Sequence, residues 1–453
     1  MVSVSGFRGR VGDPLTPELV CELAGEFTSF LRERNNGKVL VVARDSRTSG
    51  SMLARAVCAG ILSRGVNVID LGIVATPTAM LTVEKKNALG GIMISASHNP
   101  AEWNALKLVS HDGSFLDVTM MTSFLNSISE ESQGNLAPWD QLGSYQSEEN
   151  ASDTHVKEIL DLSVLDLQRL RKRKFKVALD CVRGAGGVIM PLLLEALGCE
   201  VVAIHTEVDG KFPRDPEPTA DNLLELSHLV KTTGAEVGFA VDPDVDRLSL
   251  VDEHGTPLGE DMTLAFATDV VLNNRPGSVV TNLSTSQVID DVVRHHGGQL
   301  TRTSVGEINV VRGMQKQEAP IGGEGNGGVI LSELHHTRDA PLAAALVLQH
   351  LLERNEALSE CASRWPRYVI QKTKITIPKE KLPQVYDVLK SEMSGAHCDE
   401  TDGLRMYWSG ERKWVHIRPS GTEPIVRLIA EACDQKTVQA LIDDVVRHLE
   451  DVQ

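Results

Sequence analysis

The sequence has few cysteines and no long apolar run. Its seven cysteines are an odd number and none lies in a Cys-x-x-Cys pair, so neither a disulfide framework nor a zinc ribbon is indicated. No apolar run approaches membrane-spanning length, and the first residues lack the apolar core of a signal peptide. We therefore expect a reduced, cytoplasmic protein that does not bind a membrane.

Basic residues are fewer than acidic ones. The 453 residues include 62 acidic and 45 basic side chains, which gives a formal net charge of −17. This balance argues against a protein that binds nucleic acid or anionic membranes. An anionic substrate would then need a pocket of clustered arginines. The one long basic run, residues 169–176, precedes an apparent strand, and we interpret it as a solvated linker.

Two common catalytic motifs are missing as well. The chain has no Gly-x-Ser-x-Gly elbow of the α/β hydrolases and no Walker loop. The sequence "RGAGG" at residues 183–187 follows an apparent strand, but it lacks the spacing of a dinucleotide-binding loop.

Alternating strand-like and helix-like segments indicate three successive α/β units. Short, continuously apolar strands are typical of parallel sheets that are covered on both faces. Each unit ends in an unusual polar loop, and ligands of open parallel sheets bind beyond the carboxyl ends of the strands. The third unit is expected to begin with the strand "RLSLVD", and the segment from about residue 367 has an α+β pattern. We predict an α/β fold with mixed, mostly parallel sheets and a smaller C-terminal α+β domain, with domains at residues 1–150, 151–251, 252–366 and 367–453.

The first polar loop is "ISASHNP", residues 94–100, here called the serine loop. Ser97 is its candidate nucleophile. Neighbours in an extended chain point to opposite faces, so we expect His98 to be badly placed to deprotonate Ser97. Another group must then activate or modify this serine.

The second is "DPDVDR", residues 242–247, here called the metal loop. Asp242, Asp244 and Asp246 alternate, and carboxylates spaced in this way can converge on one hard cation. An EF-hand is excluded because Arg247 stands where that loop needs glycine. Three solvated aspartates in a turn remain the plain alternative, but an arginine beside a metal site is suited to grip a phosphoryl oxygen.

Two further loops carry groups suited to sugars and phosphates. In "GGEGNGG", residues 322–328, Glu324 and Asn326 could pair with sugar hydroxyls; we call it the hydroxyl loop. In "RPSGTEP", residues 418–424, an arginine fork, two hydroxyls and a glycine could hold a phosphate, and another arginine follows; this anchor loop contributes Arg418, Ser420, Gly421, Thr422 and Arg427. Ordinary surface turns are the alternative for both.

Single arginines occur near the start of the chain. Arg8 lies in "SGFRG", and Arg44 and Arg47 lie in "RDSRTSG". We interpret Arg44 and Arg47 as members of structural ion pairs.

The four loops together are the parts needed for phosphoryl transfer on a phosphorylated polyol. "SASHNP", "DPDVDR", "GEGNGG" and "RPSGTEP" stand in the order and spacing of the α-D-phosphohexomutases, the family of phosphoglucomutase, phosphomannomutase and phosphoglucosamine mutase, and the chain resembles this family over nearly its whole length. The resemblance implies four domains around a central cleft. It also implies a phosphoryl group on Ser97, which would answer how that serine is modified.

The resemblance further implies a mechanism. The enzyme would be an intramolecular phosphotransferase of the isomerase class that interconverts hexose 1-phosphate and 6-phosphate through a hexose 1,6-bisphosphate. One Mg²⁺ per active site would be held by Ser97 and the three aspartates of the metal loop. Lys107 matches the lysine assigned to acid–base transfer, with His98, Arg8 and Arg247 in support.

The chain departs from the family pattern in three places. Ala105 stands where glycine is usual before the lysine, Gly421 replaces an asparagine of many relatives, and the histidine of a Ser-Gly-His sequence is missing at Asn326-Gly327-Gly328. His335 and His336 follow, but we expect them to be core or surface residues. The glycine-rich form resembles archaeal-type mutases named for glucosamine or mannose phosphates.

These sugars are the leading substrate hypothesis, with glucose phosphate as the alternative. A serine- and metal-dependent phosphatase and a catalytically silent sugar-phosphate-binding homologue are the other hypotheses. The partner would be a small sugar phosphate, not nucleic acid or a membrane, and the enzyme would be a monomer or homodimer.

Overall fold

The structure is a computed structural model that describes residues 2–3, 6–128, 136–375, 379–419 and 425–450. These residues form four sheets of seven, four, four and five strands. Three of the sheets are packed with helices and are mixed, with more parallel than antiparallel strand pairs in the three together, and the last is antiparallel. The predicted fold class is therefore confirmed, whereas the predicted domain boundaries stay predictions.

The first sheet has the strand order β1-β2-β6-β5-β3-β4-β7. Its central strands β5, β3 and β4 are parallel, and β6 returns antiparallel to β5. The elements of this part of the chain are β1 (Val2–Ser3), β2 (Gly6–Arg10), α1 (Pro17–Arg32), β3 (Val39–Arg44), α2 (Gly50–Leu62), β4 (Asn67–Ile73), α3 (Thr76–Lys85), β5 (Gly90–Ile94), β6 (Trp103–Val109), α4 (Val118–Ser127) and β7 (Tyr145–Ser147).

The second sheet has the order β11-β10-β8-β9, with β8 parallel to both β9 and β10. Strand β11 is antiparallel to β10, so "RLSLVD" completes this sheet instead of beginning the third unit as we expected. The elements are α5 (Ala151–Leu160), α6 (Leu167–Arg173), β8 (Lys176–Asp180), α7 (Gly186–Ala196), β9 (Glu200–Ile204), α8 (Leu224–Thr233), β10 (Val237–Val241) and β11 (Leu248–Asp252).

The basic run before β8 is not a linker. Most of it forms α6, because Asp166 caps the helix by accepting a hydrogen bond from the Arg169 amide and Leu170 is buried beneath it. Arg173 pairs with Glu236, and the Arg171 side chain donates to the Ala196 carbonyl at 2.9 Å. The run is therefore largely the exposed face of a capped helix and not a connecting segment.

The third sheet has the order β13-β12-β14-β15, with β15 antiparallel to β14. Helix α12 is buried along nearly its whole length, and its apolar residues belong to one core cluster that includes residues of both the second and the third sheet. The elements are α9 (Asp261–Asn274), β12 (Ser278–Asn282), α10 (Val288–His295), β13 (Gln299–Thr303), α11 (Glu307–Gln317), β14 (Ile321–Glu324), β15 (Gly328–Leu331), α12 (Ala340–Arg354) and α13 (Leu358–Ser363).

The fourth sheet is antiparallel, in the order β16-β20-β19-β18-β17, and two helices pack on it to form a separate apolar core. Its elements are β16 (Val369–Ile375), α14 (Leu382–Glu392), β17 (His397–Asp399), β18 (Leu404–Trp408), β19 (Lys413–Pro419), β20 (Val426–Ala432) and α15 (Gln435–Glu450). Among the described residues, no helix is both long and apolar enough to cross a bilayer.

The three α/β sheets place their polar loops in the same way. The serine loop connects β5 to β6, the metal loop connects β10 to β11, and the hydroxyl loop connects β14 to β15. In each case a strand that pairs in parallel with its other neighbour turns back into an antiparallel strand. The polar loop therefore lies at the carboxyl end of the parallel strand, where ligands of such sheets bind.

Candidate active site

The serine loop holds Ser97 against the metal loop. Ser97 is buried and has φ +50°, and its amide donates to the Ser95 hydroxyl at 2.9 Å. The Ser97 hydroxyl donates to the Asp242 carboxylate at 2.9 Å. The candidate nucleophile of the first domain thus touches a candidate metal ligand of the second.

His98 is closer to this hydroxyl than we expected. Its Nδ1 lies 3.3 Å from the Ser97 Oγ, because the chain is in the left-handed region at Ser97 and is not extended there. Burial, followed by the charges of Arg247 and Arg8, holds the pKa of His98 well below its ordinary value. The imidazole is therefore neutral at pH 7.

Arg47 fixes the shape of the serine loop. Its guanidinium forms the expected ion pair with Asp45, with 3.0 Å between Nε and Oδ2. It also donates to the carbonyl oxygens of four residues in and after the loop, at 2.5 to 3.1 Å: Ser97, Asn99, Pro100 and Trp103. Arg44 forms no ion pair within the described residues, so the expectation for it is wrong.

We expect Arg47→Lys to lower kcat by about tenfold or more while KM changes little. Lysine keeps the charge, but its single ammonium cannot serve four carbonyl groups in a fixed planar arrangement, so the serine loop loses its shape. Steady-state kinetics and a thermal melt of the variant measure this. Arg55→Lys, on the exposed side of α2, is the matched control and should behave as wild type. A variant with unchanged kcat would show that the loop keeps its shape without the guanidinium.

The metal loop presents three buried carboxylates. Asp242, Asp244 and Asp246 are fully buried, and each offers an oxygen within 4.8 Å of the others. One oxygen of Asp244 and one of Asp246 are buried without a hydrogen-bond partner. Burial and the two neighbouring carboxylates raise the pKa of Asp242 well above its ordinary value. Unpartnered buried oxygens and mutually repelling carboxylates are what a hard divalent cation would stabilise, so these residues fit such an ion.

Lys107 reaches this loop from β6. Its Nζ lies 2.6 Å from Asp244 Oδ2, which also accepts a hydrogen bond from the Thr76 hydroxyl at 2.7 Å. Burial alone would lower the pKa of Lys107, but Asp244 and Asp246 outweigh it and raise the pKa. Ala105 is accommodated because it lies inside β6, paired with Arg8 of β2, and not in the loop.

Arg247 and Arg8 both lie close enough to the metal loop to interact with its charges. Arg247 forms a hydrogen bond to Glu217 at 3.2 Å and lies 3.7 Å from Asp246, and Arg8 donates to the side chain of Asn99 at 2.7 Å. Glu217 belongs to "FPRDPEP", and the sequence offered no role for it.

Arg338 is the residue that sequence reasoning missed. It forms ion pairs with Glu324 at 2.9 Å and Glu307 at 3.1 Å, and it also pairs with Asp246. One buried guanidinium therefore connects the metal loop to the hydroxyl loop. A lone arginine in "HTRDA" gives no signal of this, since the contacts come from three separate parts of the chain.

The Arg338 side chain also fills the space beside Gly328, the position at which the family pattern has a histidine. A Cβ built on Gly328 would lie 2.2 Å from the Arg338 Cδ, so only glycine fits there. His335 does not replace that histidine: it is buried and its ring nitrogen lies 2.8 Å from Asp339.

Glu324 is positioned at the end of β14. Its carboxylate accepts hydrogen bonds from Asn282 at 2.8 Å and from the Gly306 amide at 3.0 Å, in addition to Arg338. Burial opposes ionisation, but Arg338 and Asn282 lower the pKa of Glu324, so it is ionised at pH 7. The Asn326 side chain accepts from the amide of Gly328 at 3.3 Å and so braces its own loop.

The hydroxyl loop also contains Gly-x-Gly-x-x-Gly spacing at residues 323–328. A dinucleotide site needs a helix after these glycines, whose N-terminus faces the pyrophosphate. Here they connect two antiparallel strands, so that interpretation fails.

The anchor loop is only partly described. Arg418 forms an ion pair with Asp402 at 3.2 Å, and Asp402 accepts from the Val305 amide at 2.9 Å, next to the Gly306 that contacts Glu324. Arg427 lies opposite Arg418 on β20 and is exposed. Ser420, Gly421 and Thr422 lie outside the described residues.

Sequence comparison covers all four parts of the chain. Residues 2–135, 153–255 and 259–368 match the descriptions "Phosphoglucomutase/phosphomannomutase, alpha/beta/alpha domain" I, II and III, and residues 374–448 match the C-terminal domain of the same family. The chain belongs to the phosphoglucomutase/phosphomannomutase family. Its relatives are named mutases, so it is an intramolecular phosphotransferase, and the predicted family and enzyme class are confirmed.

Two archaeal relatives of this mutase match over nearly their whole length. A "Probable phosphoglucosamine mutase" of Methanopyrus kandleri is 35% identical over 448 residues, 98% of this chain and 96% of the relative. A "Phosphoglucomutase/phosphomannomutase" of Thermococcus kodakarensis is 34% identical over 450 residues, 98% of this chain and 97% of the relative. The crystal structure of a phosphoglucomutase/phosphomannomutase family protein from Burkholderia thailandensis is 27% identical, with a TM-score of 0.86 over 100% of this chain and 98% of that one.

Proposed function

We propose that this mutase interconverts hexose 1-phosphate and hexose 6-phosphate through phospho-Ser97 and a hexose 1,6-bisphosphate. The observation that carries the proposal is the 2.9 Å contact between the Ser97 hydroxyl and Asp242, which joins the nucleophile to the metal loop. Incubation with a hexose 1-phosphate and a trace of the bisphosphate tests it. The isomer is the expected product; free phosphate would indicate a phosphatase, and no product a silent binding protein.

The metal would be one Mg²⁺ held by Asp242, Asp244 and Asp246 together with an oxygen on Ser97. The unpartnered oxygens of Asp244 and Asp246 support this assignment. Bound there, Mg²⁺ would neutralise negative charge on the transferring phosphoryl group.

Phosphoryl transfer needs one proton to be moved. As the substrate hydroxyl attacks, a new oxygen–phosphorus bond forms, the bond from phosphorus to Ser97 Oγ breaks, and the hydroxyl proton must leave. We assign this proton to Lys107, whose pKa is raised by Asp244 and Asp246. A cation bound to these carboxylates would lower that pKa, so that the neutral amine, the form that can accept a proton, becomes more accessible. The proton would then pass to the Ser97 oxygen, which leaves as a hydroxyl group. Arg247 and Arg8 would bind phosphoryl oxygens, while His98, neutral beside Ser97, would donate or accept a hydrogen bond.

The second phosphate would bind at the anchor loop. Arg418 and Arg427 are opposite each other on neighbouring strands and supply two cations for it, with Ser420, Gly421 and Thr422 completing the loop. Such an anchor would contact the phosphate and not the sugar, so it could bind the phosphate of either isomer. The bisphosphate would turn over between the two transfers, and Glu324 and Asn326 would contact the sugar hydroxyls.

The leading substrates are glucosamine and mannose phosphates. The names of the archaeal relatives support this choice, and they equally keep glucose phosphate as the alternative. We also propose that the enzyme is cytoplasmic and acts as a monomer or homodimer.

Variants of the two binding loops should differ in how they depend on the sugar. Arg418→Ala removes a charge-assisted contact, so affinity should fall about tenfold or more for every hexose phosphate. Glu324→Gln keeps the size but changes the hydrogen-bonding character, so its penalty should differ between glucose, mannose and glucosamine 1-phosphates. Catalytic efficiency of both variants on the three substrates measures this.

Glu411→Gln, an exposed residue paired with Lys413, is the matched control for the glutamate and should leave all three efficiencies unchanged. Equal losses for Glu324→Gln combined with sugar-dependent losses for Arg418→Ala would show that the two roles are interchanged.

A further inference from the structure

A cavity of about 490 Å³ lies between the third and fourth domains, apart from the loops described above. Helix α10 and strand β13 line one side of it, and the hairpin of β18 and β19 lines the other. Four arginines and three aspartates are in its wall: Arg294, Arg302, Arg405 and Arg412, with Asp290, Asp291 and Asp399.

In the part of the chain that the structure describes, Arg405 is a buried cation without a hydrogen-bond partner. Its residue is 5% exposed, its Nε is buried without a partner, and no hydrogen bond or ion pair from it occurs among the described residues. The guanidinium lies 5.1 Å from the ring centres of both Tyr407 and Trp414. Burial, and next the charge of Arg302, lowers its pKa to about 9, so the group is still charged at pH 7. A buried charge without a hydrogen-bonded partner is unfavourable.

The nearby carboxylates already have other partners. Asp290 pairs with Arg302, and Asp291 pairs with Arg294 and accepts from the Tyr368 hydroxyl. Each of these acids is matched by a cation other than Arg405.

Two further acids nearby have neutral partners only. Asp399 lies opposite Arg405 on the neighbouring strand and accepts a hydrogen bond from the Thr401 amide. Glu431 accepts hydrogen bonds from Gln287 and from the Trp414 indole, and its other oxygen is buried without a partner. Arg412, exposed at the start of β19, forms no ion pair within the described part of the chain. Within the described residues, neither Arg405 nor Arg412 thus forms an ion pair with a carboxylate.

We propose that this cavity binds a phosphate group, either as inorganic phosphate or as part of a small phosphorylated metabolite. Arg405 supplies a planar donor set at the base, Arg412 a second cation at the rim, and the hydroxyl groups of Tyr407 and Ser409 complete the lining. Arg302 adds positive charge from the third domain, although its own donors bind the carbonyls of Asn282, Thr285 and Ser286.

The cavity is distinct from the anchor loop. On the β18–β19 pair, Arg405 lies opposite His416 and Tyr407 opposite Trp414, whereas Arg418 lies beyond the last residue paired with β18. Arg405 and Tyr407 therefore extend away from the end of the strand that carries Arg418. An anion here would contact both domains and would favour the arrangement in which they are close.

Titration with inorganic phosphate tests the site without using turnover. In protein carrying Arg418→Ala, which weakens the anchor loop, calorimetry should still detect saturable phosphate binding. Adding Arg405→Met or Arg405→Lys should weaken that binding by about tenfold or more, because the planar donor set is lost. Arg412→Ala, an exposed substitution that the fold tolerates, should weaken it about threefold. Arg447→Ala, an exposed arginine of α15 outside the cavity, makes the same charge change and should leave it unaltered.

Repeating the titration with ribose 5-phosphate separates the two sources. Tighter binding of the ester would assign the site to a metabolite, and tighter binding of inorganic phosphate would assign it to the free ion. Unchanged affinity in the Arg405 and Arg412 variants would overturn the proposal. So would crystals soaked in phosphate that show Arg405 paired with Glu431 and no anion in the cavity.

Discussion

Ser97→Ala should lower turnover of a hexose 1-phosphate by at least about a thousandfold, the loss expected when a covalent relay is removed. The hydroxyl is the group that would carry the phosphoryl between substrates, and the neighbouring Ser95 hydroxyl already accepts a hydrogen bond from the amide of Ser97. Kinetics with saturating bisphosphate should show the loss in kcat. The fold should be retained, since the side chain removed is small.

Intact-mass analysis supplies the second measurement for this serine. Active wild-type protein should carry one phosphate that maps to Ser97 after digestion. Ser95→Ala is the matched control: it should turn over more slowly but keep the phosphate on Ser97. Phosphate on Ser95, or near-normal turnover of Ser97→Ala, would contradict the assignment.

Removal of the metal should abolish turnover, and excess Mg²⁺ should restore it. Asp244→Asn should reduce kcat by about a hundredfold or more, because a neutral amide is a poorer ligand for a hard cation. The substitution also removes the negative charge that lies 2.6 Å from the buried Lys107 ammonium, so the melting temperature should fall as well.

Two experiments distinguish the effect of losing the metal from the effect of losing stability. Chelator acts on the wild-type protein, where the ion pair of Lys107 is intact, and isothermal titration of Mg²⁺ reports binding directly. Asp140→Asn, an exposed carboxylate of the first domain, is the control and should change neither. Full activity of the wild type in excess chelator would remove the metal from the mechanism.

The strands that carry the site were predictable because they are buried on both faces. A strand such as β10 is continuously apolar, so the polar residues that follow it are easy to recognise in the sequence. They lie at the carboxyl end of the strand, as expected. The return strands were less predictable: β11 was expected as a strand but assigned to the third unit, and β6 was not expected as a strand. Strand β6, "WNALKLV", places Asn104 and Lys107 inside an apolar run, since Lys107 pairs with a carboxylate of another domain.

The rest of the site could not be predicted from the sequence, because it depends on contacts between distant segments of the chain. We predicted Arg47 as a member of an ion pair, and it pairs with Asp45. Its four carbonyl partners, however, lie about fifty residues further along the chain. Arg338 has partners 14, 31 and 92 residues away. No local pattern encodes such separations, because any arginine can pair with any acid until the fold selects one.

The single core that α12 shares with the second and third sheets has a mechanical consequence. The metal loop and the hydroxyl loop are attached to one close-packed body, so their separation cannot change without opening that packing. The fourth domain has its own core and meets the third through polar contacts such as Ser284 with His416 and Gln287 with Glu431. Contacts of this kind can be exchanged for contacts with water, so we expect the fourth domain to be able to pivot as a unit. The distance between Ser97 and the anchor loop would then be adjustable, whereas the spacing of the metal loop and the hydroxyl loop stays fixed. The mechanism that we propose, in which either end of the substrate meets the same serine, would require both.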